Sequence, residues 1–320
     1  GKLVKVRDVI IKSEDDIDAN LLTNIIDIQN GDLFSNDKLF KIESEIKELP
    51  FYVMTAPVEY EFVNDKVDIY LYLKKKNANS FNAILGVLPN DNGKINITGD
   101  VKIKLQNVLN KGEVFDFNWR KLLPLTQNLN IRFKYPYLFK SAFGISTKFD
   151  LYKKDTSYLD LNTRIGVVYA ISSQLRLNIF YNNKSSSLLS TEKYEFVTSL
   201  PAFADVRTNS YGLSLEFENL NYLYNPVSGW DVNVEAAIGE KLINKNVGLN
   251  PELYDGLDLR SLQFNIYGQI QKFVKFRKRS TFMLGAQGGL LLSENVFENE
   301  LYRIGGQRTI RGFDDESIFA

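Results

Sequence analysis

A chain of 320 residues carrying 39 basic and 39 acidic side chains is neutral overall, which removes the basic face that nucleic-acid binding demands. It holds neither Cys nor His, so disulfides, thiolate catalysis, Cys/His zinc sites and Ser-His-Asp triads are excluded. The apolar runs, such as Ile165 to Ile171, fall far short of the roughly 20 residues a membrane helix needs. A thiol-free chain suits passage through an oxidising compartment, and the lack of a signal peptide at Gly1 is expected of a mature or trimmed start.

Residues 1–76 are expected to form a leading domain. Lys2 to Lys12 alternates weakly through Leu3, Val4, Val6, Val9 and Ile11 and predicts a strand. Asp16 to Asn30 carries Leu21, Leu22, Ile25 and Ile26 at helical spacing, with Gly31 as its stop. Ser35 is the expected N-cap of a second helix with Leu39, Ile42, Ile46 and Leu49 on one face, ended by Pro50. Two strands follow. Val58, Tyr60 and Phe62 precede a turn at Asn64-Asp65, and Val67, Ile69, Leu71 and Leu73 then alternate with Asp68, Tyr70 and Tyr72. The β-α-α-β-β order predicts a small α+β domain, a class that hosts many functions. Its order and length resemble a POTRA domain, which implies edge strands able to pair with an extended client segment.

Over residues 77–320 the helical period vanishes. Ile95, Ile97, Gly99, Val101, Ile103 and Leu105 share one face, against Lys94, Asn96, Thr98, Asp100, Lys102, Lys104 and Gln106. The same alternation runs through Leu262 to Gln271, Leu213 to Glu218 and Val232 to Ile238. A soluble sandwich also alternates, but these segments run about ten to fifteen residues and match the ~9–11 of a tilted membrane strand. The polar face is dense in Lys, Gln, Asn and Glu, as a wet lumen requires. Aromatics collect near segment ends (Tyr135, Tyr137, Phe139; Tyr222, Tyr224, Trp230), where interfacial girdles sit. A transmembrane antiparallel β-barrel is therefore expected.

Strands are predicted near 80–89, 93–109, 113–120, 127–139, 141–154, 158–171, 174–183, 208–220, 229–240, 261–276 and 279–293. Connection lengths alternate as such a barrel requires. Asn110-Lys111-Gly112, the break at Lys140, Ser172-Ser173 and Arg277-Lys278 are tight, while Lys184–Arg207 and Lys241–Arg260 are long and fall on the other side. Eleven strands cannot close antiparallel, so the barrel is expected to be incomplete at the C-terminal end.

Glu300 to Asp315 reads ELYRIGGQRTIRGFDD and joins Gly305-Gly306 to Ile310-Arg311-Gly312-Phe313. This resembles the loop signature of the Omp85 family, which carries it in the sixth external loop, after strand eleven of roughly sixteen. Pro226-Val-Ser-Gly229-Trp230 is similar to that family's Pro-x-x-Gly element opening the ninth strand, though an ordinary turn explains Pro226 and Gly229 equally well. The resemblance covers the whole chain. It implies a loop folded back into the lumen, with Arg311 pinning it to the wall through a planar five-donor fork, Gly312 turning beside it and Phe313 buried. The wall partners it implies lie on strands later than the eleventh.

The resemblance further implies a Gram-negative outer membrane, with the leading domain in the periplasm. The function implied is folding of client β-barrels into that membrane, or translocation of client chains. The partners would be the lipid bilayer, unfolded outer-membrane or secreted proteins, and accessory lipoproteins or periplasmic subunits, without cofactor, metal or catalysis. A weak seam is expected at the first strand, Ser80, Phe81, Asn82, Ala83, Ile84, Leu85, Gly86, Val87 and Leu88, which is short and poor in charge. Alternatives are a two-partner secretion transporter and, from another class, a passive porin or adhesin. For an enzyme, Asp314, Asp315 and Glu316 are the tight carboxylate cluster near the motif, and a solvated loop is the better reading.

Overall fold

The computed structural model describes residues 4–89, 95–194, 197, 199–221, 225–277, 280–306, 309–313 and 317–320. Lys2, Leu3, Lys94, Tyr222, Tyr224, Lys278, Gln307, Arg308 and the Asp314, Asp315, Glu316 cluster lie outside the described residues.

The leading part runs β1 (Lys5–Lys12), α1 (Ala19–Ile25), α2 (Asn36–Glu48), β2 (Tyr52–Met54), β3 (Glu59–Val63) and β4 (Lys66–Lys75). β4 is central, with β1 parallel on one side and β2 and β3 antiparallel on the other. Val67, Ile69, Leu71 and Leu73 pack against Leu22, Ile42 and Ile46 to form its core. Ser35 caps α2 as expected, accepting from the Lys38 amide at 3.2 Å.

Two expectations need correction. The first helix spans 19–25 rather than 16–30, because Asp18 accepts from the Asn20 and Leu21 amides and so starts it late. Asp27 (φ 49°) follows its end, and the chain after Gly31 runs beside β1, where the Val6 amide bonds to Asp32 O at 2.8 Å and the Phe34 amide to Val4 O at 2.9 Å. That run covers the outer edge of β1, and β3 has no strand on its far side among the described residues. The second correction is β2, whose three residues are too short to display a period of two. Asn64 and Asp65, at φ 50° and 61°, make the anticipated two-residue hairpin turn.

Asp68 points to the buried side of neither helix pattern nor core alternation, yet its side chain is fully covered. A bulge in β1 at Arg7 re-aims that guanidinium, which grips Asp68 through both of its forks. The hydrogen bonds from Arg7 hold the Asp68 carboxyl below its ordinary range.

The remaining strands are β5 (Ser80–Pro89), β6 (Ile95–Gln106), β7 (Val114–Leu123), β8 (Thr126–Tyr135), β9 (Phe143–Lys154), β10 (Tyr158–Ala170), β11 (Leu175–Leu188), β12 (Asp205–Leu220), β13 (Gly229–Asn244), β14 (Arg260–Arg277) and β15 (Ser280–Ser293). Each pairs antiparallel with its sequence neighbours in a single eleven-stranded sheet, which is open, with β5 and β15 at its edges. The register keeps the two faces separate across strands. One row runs Tyr169, Leu177, Leu215, Val234; a row on the other face runs Asn130, Asp150, Asn162, Lys184, Thr208, Lys241.

The sheet is curled with the polar face inside. Lys134 on β8 and Glu216 on β12 approach to 3.9 Å, although four strand spacings on a flat sheet would separate them by about 19 Å. Arg164 on β10 likewise reaches Glu235 on β13 with bonds of 2.7 and 2.8 Å. The convex face is apolar and exposed, as at Ile165, Leu213, Ile238 and Leu284.

Short turns sit at the rim beside the leading domain, the proximal rim, and long loops at the opposite, distal rim. The long loops are shorter than expected, 189–204 and 245–259. Lys184 to Ser187 and Asp205 to Arg207 continue the ladder without apolar alternation, as strands do once both faces are wet. The strand expected at 127–139 ends at Tyr135, before Pro136, and 138–140 form a single 3-10 turn. Tyr137 therefore packs against the leading domain's core rather than in a girdle, whereas Trp230 lies on the convex side with Lys272 over its ring at 4.2 Å.

Because its pKa is lowered on folding, Asp68 stabilises the leading domain above the ordinary carboxylate pKa, and that support is lost as pH falls through the lowered value. Thermal unfolding of the leading domain should drop steeply below about pH 4. Asp68→Asn should be less stable at pH 7 and show a flatter acid limb.

Candidate functional site: a folded-back loop and two uncharged edges

The two edge strands differ from everything between them. β5 (SFNAILGVLP) and β15 (STFMLGAQGGLLLS) hold no charged residue, whereas each of the nine intervening strands holds at least two. In β5, Phe81, Ala83, Leu85 and Val87 share the convex face with Ile103, Val101 and Ile97 of β6. Ser80, Asn82, Ile84, Gly86 and Leu88 point to the concave face, where Ile84 and Leu88 are exposed. β5, where the sequence predicts a seam, is a terminal strand of the sheet among the described residues.

After β15 the chain turns back over the concave face. Lys241, whose side chain has no exposure, donates to Glu300 Oε2 at 2.5 Å, Asn295 O at 2.9 Å and Glu294 O at 3.2 Å, which uses all three of its protons. Glu300 also accepts from the Phe297 amide at 3.0 Å and from Gln263 Nε2 at 3.1 Å. Asn299 Nδ2 donates to Ser186 Oγ and Ala204 O, both at 2.7 Å. Around this network Ala204, Val206, Ile243, Leu249, Tyr254 and Phe297 form a second apolar core that binds three distal loops together.

Further along, Arg303 lies 3.3 Å from Asp160, donates to the Tyr158 hydroxyl and stacks 4.1 Å over Tyr152. Tyr302 lies against Gly289, where an added Cβ would stand 2.4 Å from the ring, so the glycine is what admits it. Short strands β16 (Arg303–Ile304) and β17 (Ile318–Phe319) close the loop's base.

The Gly305 to Phe313 motif forms its own tight turn. Thr309 Oγ1 accepts from the Gly305 amide at 2.7 Å and donates to Gly305 O at 2.8 Å, and the Gly306 amide bonds to Phe313 O at 3.1 Å. Gly305, Gly306 and Gly312 take φ of 123°, 88° and 94°, a region closed to most side chains. Ile310, Arg311 and Phe313 are exposed. Arg311 has no ion-pair partner among the described residues, and Phe313 is not buried; the guanidinium that holds this loop to the wall is that of Arg303. Gly229 opens β13 at φ 119°, where a Cβ would lie 1.9 Å from Asn219 O, so the strand start requires glycine. Asn221 Oδ1 accepts from the Val227 and Ser228 amides and shapes the turn that holds Pro226.

Lys241, Asn299, Glu300 and Arg303 were not singled out by sequence. Parity along β13 puts Lys241 on the polar face, but its partner lies 59 residues away and only the folded loop supplies it.

The proximal rim carries the leading domain. Lys111 pairs with Asp18, Ser173 donates to Glu45 at 2.9 Å, and Leu21 fills the space beside Gly112. A cleft of about 850 Å³ separates α2 from the rim.

Neither a protein-family model nor a curated protein matches the sequence. Solved structures do. The crystal structure of BamA from Haemophilus ducreyi lacking POTRA domains 1-3 aligns with 99% of this chain and 62% of its own, at 18% identity and a TM-score of 0.50. CdiB from Acinetobacter baumannii aligns over 98% and 57%, at 13% identity and a TM-score of 0.58. CdiB from Escherichia coli aligns over 97% and 58%, at 12% identity and 0.54. At such identities the likeness is one of fold, and the chain spans about three fifths of the length of these structures.

Removing Lys241 strands the Glu300 carboxylate in a buried site, a loss of about 3–5 kcal/mol. Lys241→Ala should therefore free the loop and speed limited trypsin cleavage after Arg303 in the detergent-solubilised full-length protein. The double variant Lys241→Met, Glu300→Met should restore resistance.

Proposed function

We propose that this chain belongs to an outer-membrane assembly factor of the Omp85 kind, which inserts client β-barrels into the lipid bilayer. Residues 1–76 form its periplasmic domain and residues 77–320 the greater part of its barrel wall. The observation that carries this reading is the uncharged edge strand β5 on a sheet with an apolar convex face. In lipid, unpaired N–H and C=O groups have no water to turn to, so an edge strand without charged side chains favours pairing with another strand. A client strand supplies that pairing, alternating apolar and polar residues as β5 and its neighbours do.

The partners are the bilayer, unfolded client barrels arriving from the periplasm, and accessory lipoproteins or periplasmic subunits at the leading domain. There the β3 edge, with Phe34, Tyr60 and Phe62 rings 5.4 to 5.8 Å apart, offers a surface for an added strand. The role is mechanical rather than catalytic. The loop held by Lys241 and Glu300 obstructs the concave face, which favours insertion at the seam over passage through the lumen as in a secretion transporter or porin.

Proteoliposomes containing the full-length protein should fold a second barrel protein several-fold faster than empty liposomes, and Arg303→Ala, which releases the loop from Asp160 and Tyr158, should lose that acceleration. Single cysteines along residues 80–88 should crosslink to the client at alternating positions. Acceleration without any such crosslink would remove the seam at β5 from the mechanism. No acceleration at all would turn the reading to a secretion transporter with one dedicated exported partner.

A further inference from the structure

The cleft at the proximal rim mixes apolar and acidic groups. Leu49, Pro50 and Phe51 after α2 and Val114, Pro136 and Leu220 of the rim line it, and so do the carboxylates of Glu45 and Glu48 on α2 and Glu218 on β12. Its volume of about 850 Å³ lies within the ~300–1,000 Å³ of ligand clefts.

The cleft's lining carries three cations, Lys41, Arg176 and Lys272, and three carboxylates, Glu45, Glu48 and Glu218, but they do not all pair. Glu45 pairs with Lys41 at 3.3 Å and accepts from Ser173. Glu218 is held by Arg176 at 3.2 Å, and the same guanidinium lies 3.5 Å from Glu216, which also meets Lys134 at 3.9 Å. Lys272 is stacked on the Trp230 ring, and Asp231 on β13 adds a further negative charge beside Glu216 and Glu218. Each of these cations is engaged, whereas Glu48 has neither hydrogen bond nor ion pair among the described residues. Burial first, and then Glu218 and Glu45, push its carboxyl up to about 7.

We propose that the cleft binds an extended peptide segment bearing a lysine or arginine, its cation seated on Glu48 and its alternate apolar side chains on Leu49 to Phe51. The claim rests on the reading that the protein handles unfolded client chains, and it names where such a chain is gripped before it reaches the sheet. At the rim Gln174 Nε2 donates to Asn219 Oδ1 at 3.3 Å, which leaves Gln174 Oε1 and Asn219 Nδ2 for the segment's backbone. Seating a cation favours the ionised carboxylate, so binding tightens as pH rises through about 7 and weakens below it.

The test is fluorescence anisotropy of a labelled nine-residue peptide, alternating valine and serine about a central lysine, on the full-length protein in detergent. Twins with glutamine or glutamate at the centre complete the set. The lysine peptide should bind several-fold tighter than either twin. Its affinity should rise by up to about tenfold from pH 6 to pH 8, the ceiling set by a carboxyl titrating near 7. Glu48→Gln should erase both the preference and the pH dependence. Equal binding of the three peptides to the unaltered protein, or a lysine preference that ignores pH, would overturn the proposal without recourse to any variant. Lysine-selective binding beside failed client insertion would support the cleft and remove the insertion reading; insertion without selective binding would do the reverse.

Discussion

Ten strand pairings hold the large sheet together, and apart from one-residue shifts at the proximal end of β14/β15 and the distal end of β7/β8 they preserve the same parity of inward and outward side chains. A slip of one residue in any pairing would turn Arg164, Glu235 or Lys241 onto the apolar side and Ile165, Val234 or Leu242 onto the polar one. The cross-sheet ion pairs depend on this constraint. Arg164 meets Glu235, and Lys134 meets Glu216, only because each strand between them keeps register and the curl carries the polar face inward. Curvature and alternation therefore support each other, and neither could be changed alone.

The folded-back loop exploits that polar interior. A loop crossing a wet concave face gains little from burial, so its position has to come from groups with fixed geometry. Lys241 spends its three donors on one carboxylate and two carbonyls, and Asn299 and Arg303 reach different strands. Desolvating Lys241 and Glu300 is costly, and their contact offsets that cost only while both are present. The loop is consequently held in one place with little tolerance for half-measures.

Much of the architecture was legible in the sequence, for a physical reason. A strand that faces apolar surroundings on one side and water on the other must alternate, and Lys102, Asn130, Glu235 and Gln269 declare their side by parity alone. The α2 face of Ile42 and Ile46 declared itself by the helical period in the same way. Reading failed where local signals gave way to partners distant in the chain. Asp18 shortened α1, β2 was too brief for any period, and the polar ends of β11 and β12 looked like loop. The site was less legible still. Gly305, Gly306 and Gly312 were visible because positive φ demands glycine, but whether Arg303 or Arg311 holds the wall is a matter of which one lies near Asp160.

The absence of charge in β5 has a cost before the protein is folded. A nine-residue run from Ser80 to Leu88 with β-branched and aromatic side chains and no ionic group is the kind of segment that stacks with copies of itself when exposed in water. Lys74, Lys75 and Lys76 stand immediately upstream as gatekeepers, and their mutual repulsion keeps neighbouring chains from aligning along it. The same run makes the unfolded chain prone to self-association, so concentration and the time spent unfolded, more than final stability, set the yield of folded protein.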